Sequence, residues 1–291
     1  MIRTRVALLA VILASASALD AQTKVSRGLH LNSDGAVRIY NLGGSVRVIG
    51  WNRDSVAVRG SIGRGSELHM GGGPQGVKMF VEDMDERNPA PANLEIYVPA
   101  KAKVWVKTAT AGIEVSSVSG SLDLYVVSGP IKVTGDPADV NAEAIDGSIR
   151  IAGSPSWVRA KSASGDVSFE GKSGDITMST VSGKIDVRGS RFEKAKFESV
   201  TGNISFNGSF ERGGITKFDT HSGMIDLGVS GAADFDVVSI SGTIANKLTL
   251  KRPIAGRYGR GSELVTESGD GGTRVEVRSF KGQVLLRPAG K

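Results

Sequence analysis

Residues 164–187 read SGDVSFEGKSGDITMSTVSGKIDV. A small polar residue and a glycine open a unit at Ser164, Ser173 and Ser182, each followed by an alternating apolar and polar run. Alternation such as Ile185-Asp186-Val187 sends aliphatic side chains to one face and charge to the other, the pattern of a half-buried strand. Working outward, the same unit opens upstream at Ser119, Ser128 and Asp146, and downstream at Thr201, Ser222 and, in worn form, Ser241. GGSVRV from Gly43, AGIEV from Ala111 and KGQVLL from Lys281 are relatives of it.

The spacing defines the architecture. The unit glycines are Gly120, Gly129, Gly147, Gly165, Gly174, Gly183, Gly202, Gly223 and Gly242. They fall nine or about twice nine residues apart, drifting to longer steps near the C-terminal end. Each double step holds an unmarked strand, at residues 140–144, 158–162, 195–199 and 235–239. One winding is therefore two strands and about 18–20 residues. A strand this short is unstable alone, but stacked windings bury a continuous aliphatic column and pair each backbone with the next. The expected fold is an all-β, single-domain parallel β-solenoid. Glycine at each corner is expected to supply a positive φ. The Ser, Thr or Asp before it is expected to bond its own local backbone and to form a ladder along one edge. A sandwich of hairpins would favour Asn-Gly or Asp-Gly turns, and only Asp146-Gly147 fits.

The ends are less regular. Two paired strands are expected around Gly43-Gly44, with a turn at Trp51-Asn52-Arg53-Asp54. Residues 61–92 break the pattern, with a strand at 77–81 flanked by loops. Residues 256–291 read as a C-terminal cap closed by strands at 274–278 and 283–286. The hexamer GRGSEL occurs at 63–68 and again at 259–264, by chance or because it marks two equivalent turns.

Arg3 and Arg5, the apolar run 6–13 and the small residues 14–18 form the pattern of a secretory signal peptide over residues 1–21, with cleavage after Ala18 or Ala21. The run is too short to cross a bilayer comfortably. Residues 22–291 are then the exported domain, periplasmic, outer-surface or extracellular. No cysteine is present, so disulfides, thiolate metal sites and a Cys nucleophile are excluded. The 39 glycines with few aromatics and prolines point to many tight turns rather than disorder. The formal charge is +6. Its basic residues, such as Arg150, Arg159, Lys172, Lys184 and Arg188, stand singly, which argues against a nucleic-acid partner.

Chemistry finds little purchase. His30, His69 and His221 have no metal-ligand spacing, and His221 reads as an exposed turn residue. Asp123, Asp186 and Asp226 occupy comparable outward positions and read as a solvating face, not an acid pair for glycan cleavage. Glu82-Asp83-Met84-Asp85-Glu86 and Asp270-Gly271-Gly272 are weak calcium candidates, and no nucleotide loop exists. Trp51, Trp105 and Trp157 look scattered. No catalytic, cofactor or metal residue is expected.

Residues 94–133, the recurring VSGxIxV units, GGSVRVIGWNRDSVAV (43–58) and GDGGTRVEVRSFKGQVLL (269–286) resemble the bacterial "putative adhesin" β-strand-repeat domains. The resemblance implies an exported parallel β-solenoid of unknown function and carries over no catalytic residues. The expectation is a non-enzymatic binding or structural surface in the cell envelope. Its partner would be a protein or glycan, with no integral membrane span after signal removal. An envelope-stress accessory and a glycan-active β-helix enzyme are the alternatives.

Overall fold

The computed structural model describes residues 22–83, 85, 89–256 and 259–290, so the signal-peptide reading of residues 1–21 lies outside the described residues. Its regular elements are β-strands, arranged in one 13-stranded and one 14-stranded sheet. From Lys103–Thr108 to Ile225–Val229 the chain alternates between the two sheets. Each strand there up to Ile204–Gly208 pairs in parallel with the strand two elements further on. Asp139 stands opposite Trp157 and Trp157 opposite Asp175, so one coil takes eighteen residues. Later coils lengthen, with Asp175 opposite Lys194 and Lys194 opposite Ile215. The structure is thus the stacked two-strand winding that the repeat implies.

Alternation explains why these residues form these strands. In the 13-stranded sheet Ile131, Ile149, Val167, Ile185 and Ile204 stack into one buried column. In the other sheet Leu124, Ala142, Ala160, Met178 and Phe197 form a facing one. Removing each of these side chains from water, the alanines excepted, contributes about 1.5–3 kcal/mol. The lengthened coils have a cause. Arg191, at φ 62°, turns the corner that brings Phe192 inward. Phe192 packs against Phe169, Phe197 and Phe206 at centroid distances of 5.9, 6.2 and 6.1 Å, and the wider coil accommodates the extra ring.

The corner glycines are needed for a reason other than the expected one. None of Gly120, Gly129, Gly147, Gly165, Gly174, Gly183, Gly202, Gly223 and Gly242 has a left-handed φ. Instead, the backbone of one corner lies directly on the next. A Cβ on Gly147 would overlap the carbonyl oxygen of Gly129, one on Gly165 that of Gly147, one on Gly183 that of Gly165, and so on through Gly202 and Gly223. Gly120 stands at the opposite corner, against the carbonyl of Ala102, and Gly174 shares that corner, facing Ser156. A ladder that the repeat did not reveal runs through Gly135, Gly153 and Gly171, which do take positive φ, at 108°, 144° and 141°.

The hydroxyl expectation holds at Ser173, whose Oγ donates to Asp175 O (3.2 Å), and is corrected elsewhere. The residue before the glycine bonds the coil below it: Ser119 Oγ donates to Ala100 O (3.1 Å) and Thr201 Oγ1 to Val181 O (3.2 Å). Local sealing comes from three residues before the glycine. Gly165 N donates to Ser162 Oγ (2.9 Å), Gly183 N to Thr180 Oγ1 (3.1 Å) and Gly223 N to Thr220 Oγ1 (3.0 Å). These hydroxyls are buried, so each otherwise orphaned amide is satisfied inside the core.

Both ends depart from simple winding in the same way. The strands Ala36–Asn41 and Gly44–Trp51 do not pair with each other; each joins a different sheet. Their coil is inserted between the coil of Gly76–Glu82 and Ala92–Pro99 and the coil of Lys103–Thr108 and Gly112–Ser116. At the far end Arg274–Ser279 and Val284–Pro288 do not cap the stack. They slot between the coils beginning at Ile215 and at Ala233. Residues 61–92 are also more regular than expected. Glu67–Gly73, including its glycine run, is an antiparallel strand against Gly76–Glu82. Each GRGSEL hexamer leads into an antiparallel outer strand of the 14-stranded sheet, Glu67–Gly73 at one end and Ser262–Ser268 at the other. Leu68 and Leu264 are both buried, so the repeat marks equivalent places.

Gly183→Val is expected to lower stability by at least about 1 kcal/mol through backbone overlap, read from denaturant midpoints; an unchanged midpoint refutes the stacked corner. Deleting residues 274–291 is expected to abolish hydrogen-exchange protection in Ala233–Ser239, which precedes the deletion but depends on the inserted coil.

Candidate binding surface on the outer face

The inserted N-terminal coil assembles a surface. It sets Tyr40 beside Lys107 in register on one side and Phe80 on the other. On the outer face of the 14-stranded sheet Tyr40 packs on Trp105 with centroids 4.8 Å apart, and Trp105 on Tyr125 at 5.9 Å. Beyond Tyr40, Lys78 Nζ sits 5.2 Å from its ring and 5.1 Å from that of Phe80. Phe80 stacks on His69 at 4.7 Å, and His69 Nε2 lies 2.9 Å from a Glu82 carboxylate oxygen. The rings thus run across five neighbouring strands, about 19 Å at the usual strand spacing. All are half-buried.

Polar groups frame the row. Arg38, Lys78, Lys103 and Lys107 are exposed along it. Asn141 Nδ2 donates to Asp123 Oδ1 (3.2 Å) and to Tyr125 Oη (3.0 Å), fixing the far end. Burial, then the charges of Asp123 and Glu143, push the Tyr125 phenol up, so it remains a neutral hydrogen-bonding hydroxyl. A shallow depression of about 440 Å³ lies between Arg38, Trp105, Ser121 and Asp123. Rigid rings with an apolar face and polar neighbours are the groups that dominate recognition surfaces. Sequence reading took the tryptophans as scattered. Trp157 does stand apart on the same sheet, but Trp105 joins residues far from it in the chain. The signal lay in outward aromatics at Tyr40, Phe80, Trp105 and Tyr125, which is invisible until the coil order is known.

A groove of about 670 Å³ on the other sheet is lined by Arg47, Arg59, Glu95, Glu114 and Lys132. Its charges are largely engaged with one another. Arg47 Nε lies 3.2 Å and Lys132 Nζ 3.1 Å from Glu114, and Lys132 foremost holds that carboxyl below its ordinary value. Tyr97 Oη donates to Glu95 at 2.5 Å.

The acids do not converge. Asp123 lies on the 14-stranded sheet, whereas Asp186 and Asp226 lie on the 13-stranded one. Asp226 is clamped by Arg287 of the inserted C-terminal coil at 2.8 and 3.1 Å. Asp186 lies 3.7 Å from Arg188 and 3.9 Å from Lys184. His221 is an exposed corner residue stacked on Phe280 at 4.8 Å. In the acidic segment, Asp83 accepts from Ser66 Oγ (2.7 Å) and from the amides of Asp85 and Ala90 (both 2.9 Å). Met84 and Glu86 lie outside the described residues. Gly272 N donates to Asp234 (2.9 Å), so residues 270–272 form a turn held by a neighbouring strand. The basic residues Arg150, Arg159, Lys172, Lys184 and Arg188 are all exposed and divided over both faces and the corners.

Residues 156–270 match the family model described as Toastrack DUF4097. Among solved structures, the chain is similar to a "putative adhesin" from Bacteroides fragilis NCTC 9343, at 10% identity over 91% of this chain and 98% of that one, with a TM-score of 0.45. A "putative adhesin" from Parabacteroides distasonis ATCC 8503 matches at 9% identity over 92% and 98%, with a TM-score of 0.41. A "putative lipid binding protein" from the same strain matches at 12% over 91% and 97%, with a TM-score of 0.42. No curated protein matches. The family to which the repeat units point is thus the one that the chain resembles. The aromatic row, at residues 40–125, lies outside the matched segment. No helix among the described residues is long and apolar enough to cross a membrane.

The bond from the Asp85 amide foremost, with those from Ser66 and the Ala90 amide, holds the Asp83 carboxyl below its ordinary value. Its contribution is present above the unfolded-state pKa and is lost as pH falls through the folded one. Asp83→Asn is therefore expected to speed proteolytic cleavage beside Asp85 and Ala90 at neutral pH, as acidification below the ordinary carboxylate range does for the unsubstituted chain. Equal cleavage of both chains at neutral pH would contradict this.

Proposed function

We propose that this chain is an exported, adhesin-like β-solenoid that works without catalysis. On this reading it holds an extended envelope polymer, a glycan or a protein segment, against the aromatic row of its outer face. The observation that carries the reading is the ring series from His69 to Tyr125 on a rigid sheet, fringed by exposed cations. Half-buried aromatic rings on a surface can pack against sugar or peptide groups, and flanking Lys, Arg and Asn supply directional bonds. Support for a non-catalytic role comes from the acids: Asp123 faces away from Asp186 and Asp226, and the latter two are occupied by ion pairs. Export rests on the residue pattern at 1–21, and the names of the similar structures agree with a surface role.

The test is adsorption to isolated cell-envelope fractions. Trp105→Ala and Tyr40→Ala are each expected to weaken retention by at least about tenfold, while Trp157→Ala, on the same sheet but outside the row, leaves it unchanged. Retention equal in all three would move the contact elsewhere, and release of reducing ends from the envelope glycan would replace adhesion with hydrolysis.

A further inference from the structure

The corner that carries the glycine ladder also carries an apolar ridge. The residue following each of the ten strands of the 14-stranded sheet from Ala36–Asn41 to Ala233–Ser239 points outward there. In the first half of the stack these residues are Leu42, Ala109, Val127, Ile145 and Ala163. In the second half they are Val181, Val200, His221, Phe280 and Ile240. Backbone bonds knit the column, for example Val127 N to Ala109 O (3.1 Å) and Val181 N to Ala163 O (3.0 Å). Among the described residues twelve large apolar side chains are exposed, and seven of them stand on this line. Ile145 and Ile240 are each 54% exposed and Val181 51%. Chance scatter does not place most of a surface's exposed aliphatics in one file.

We propose that the ridge is the self-association surface of this chain, pairing with a second copy in antiparallel fashion about a two-fold axis. Three features point to a copy. The first is shape: the ridge is periodic at the strand spacing over about 43 Å, and another ridge of the same pitch matches it along its whole length. The second is complementarity under the two-fold, which falls between Ala163 and Val181. It sets Ala109 opposite Phe280 and Ala163 opposite Val181, so both alanines meet larger side chains, and it pairs Leu42 with Ile240, Ile145 with Val200 and Val127 with His221. Beside Val200, His221, Phe280 and Ile240 lies a groove of about 520 Å³ that would receive the Leu42 end of the other copy. The third is desolvation. The next residue along each corner is mostly a hydroxyl already bonded within its own chain, as Thr201 is to Val181 O and Ser241 to Phe280 O (3.0 Å). Only Asp146 and Lys281 carry charge at that position. A strip about 12 Å wide would bury roughly 500 Å² per copy, at the threshold for a specific, reversible dimer.

The experiment is sedimentation equilibrium of the chain from about 1 to 100 micromolar, the range that so small an interface implies. A monomer–dimer equilibrium is expected. Val181→Glu is expected to weaken it at least about tenfold with the thermal midpoint retained, and Leu250→Glu, exposed but off the ridge, leaves it unchanged. Orientation is read by cross-linking, since the chain has no cysteine of its own. An equimolar mixture of Ala109→Cys and Phe280→Cys chains should form the mixed disulfide, whereas Ala109→Cys alone should not. A monomer throughout the range overturns the proposal, as does a dimer indifferent to Val181→Glu. A monomer that uses the ridge to adsorb to phosphatidylglycerol vesicles also overturns it, and assigns the ridge to lipid.

Discussion

Everything in this molecule depends on the distance between two backbones at one corner. Where the coil turns at Gly147, Gly165, Gly183, Gly202 and Gly223, the peptide of one winding rests on the carbonyl of the one below, and no Cβ fits between. That approach fixes the register of both sheets, because a winding cannot slip by one residue without driving a side chain into its neighbour's backbone. Register in turn aligns the aliphatic columns and places Ser162, Thr180 and Thr220 where their hydroxyls accept the corner amides. Glycine serves here through its lack of volume rather than its conformational freedom.

One repeat therefore supplies three surfaces of different chemistry. Inward positions hold the aliphatic and phenylalanine interior. Outward positions on the flat faces hold charge and the aromatic row. Corner positions hold small hydroxyls and an apolar file. Substitution on a face leaves the interior untouched, so a binding surface can vary without cost to the fold.

The inserted coils are the second organising feature. A chain that merely wound from end to end would leave its terminal windings held on one side only. Here Ala36–Asn41 and Gly44–Trp51 are sandwiched near one end, Arg274–Ser279 and Val284–Pro288 near the other. Antiparallel strands, Glu67–Gly73 and Ser262–Ser268, cover the 14-stranded sheet beyond them, blunting edges that would otherwise recruit another chain. Insertion also makes function: Tyr40 meets Trp105 only because its coil slots beside Lys103–Thr108.

The amino-acid sequence by itself determined the winding. Local alternation around Ile185-Asp186-Val187 and the nine-residue phase of Ser-Gly are short-range patterns, and a stacked two-strand coil is the arrangement that buries all of them at once. It also kept His221 at a corner, while the equivalence of the two GRGSEL hexamers waited on the strand pairings. Only the tertiary structure decided the order of the end coils, since Gly44–Trp51 pairs with both Ala92–Pro99 and Gly112–Ser116 and no local pattern encodes that choice. The same holds for why the corner residue is glycine: a clash with a backbone eighteen residues away does not register in a local turn rule. The aromatic row and the apolar ridge followed from those decisions, because each gathers residues that are neighbours across coils and strangers along the chain.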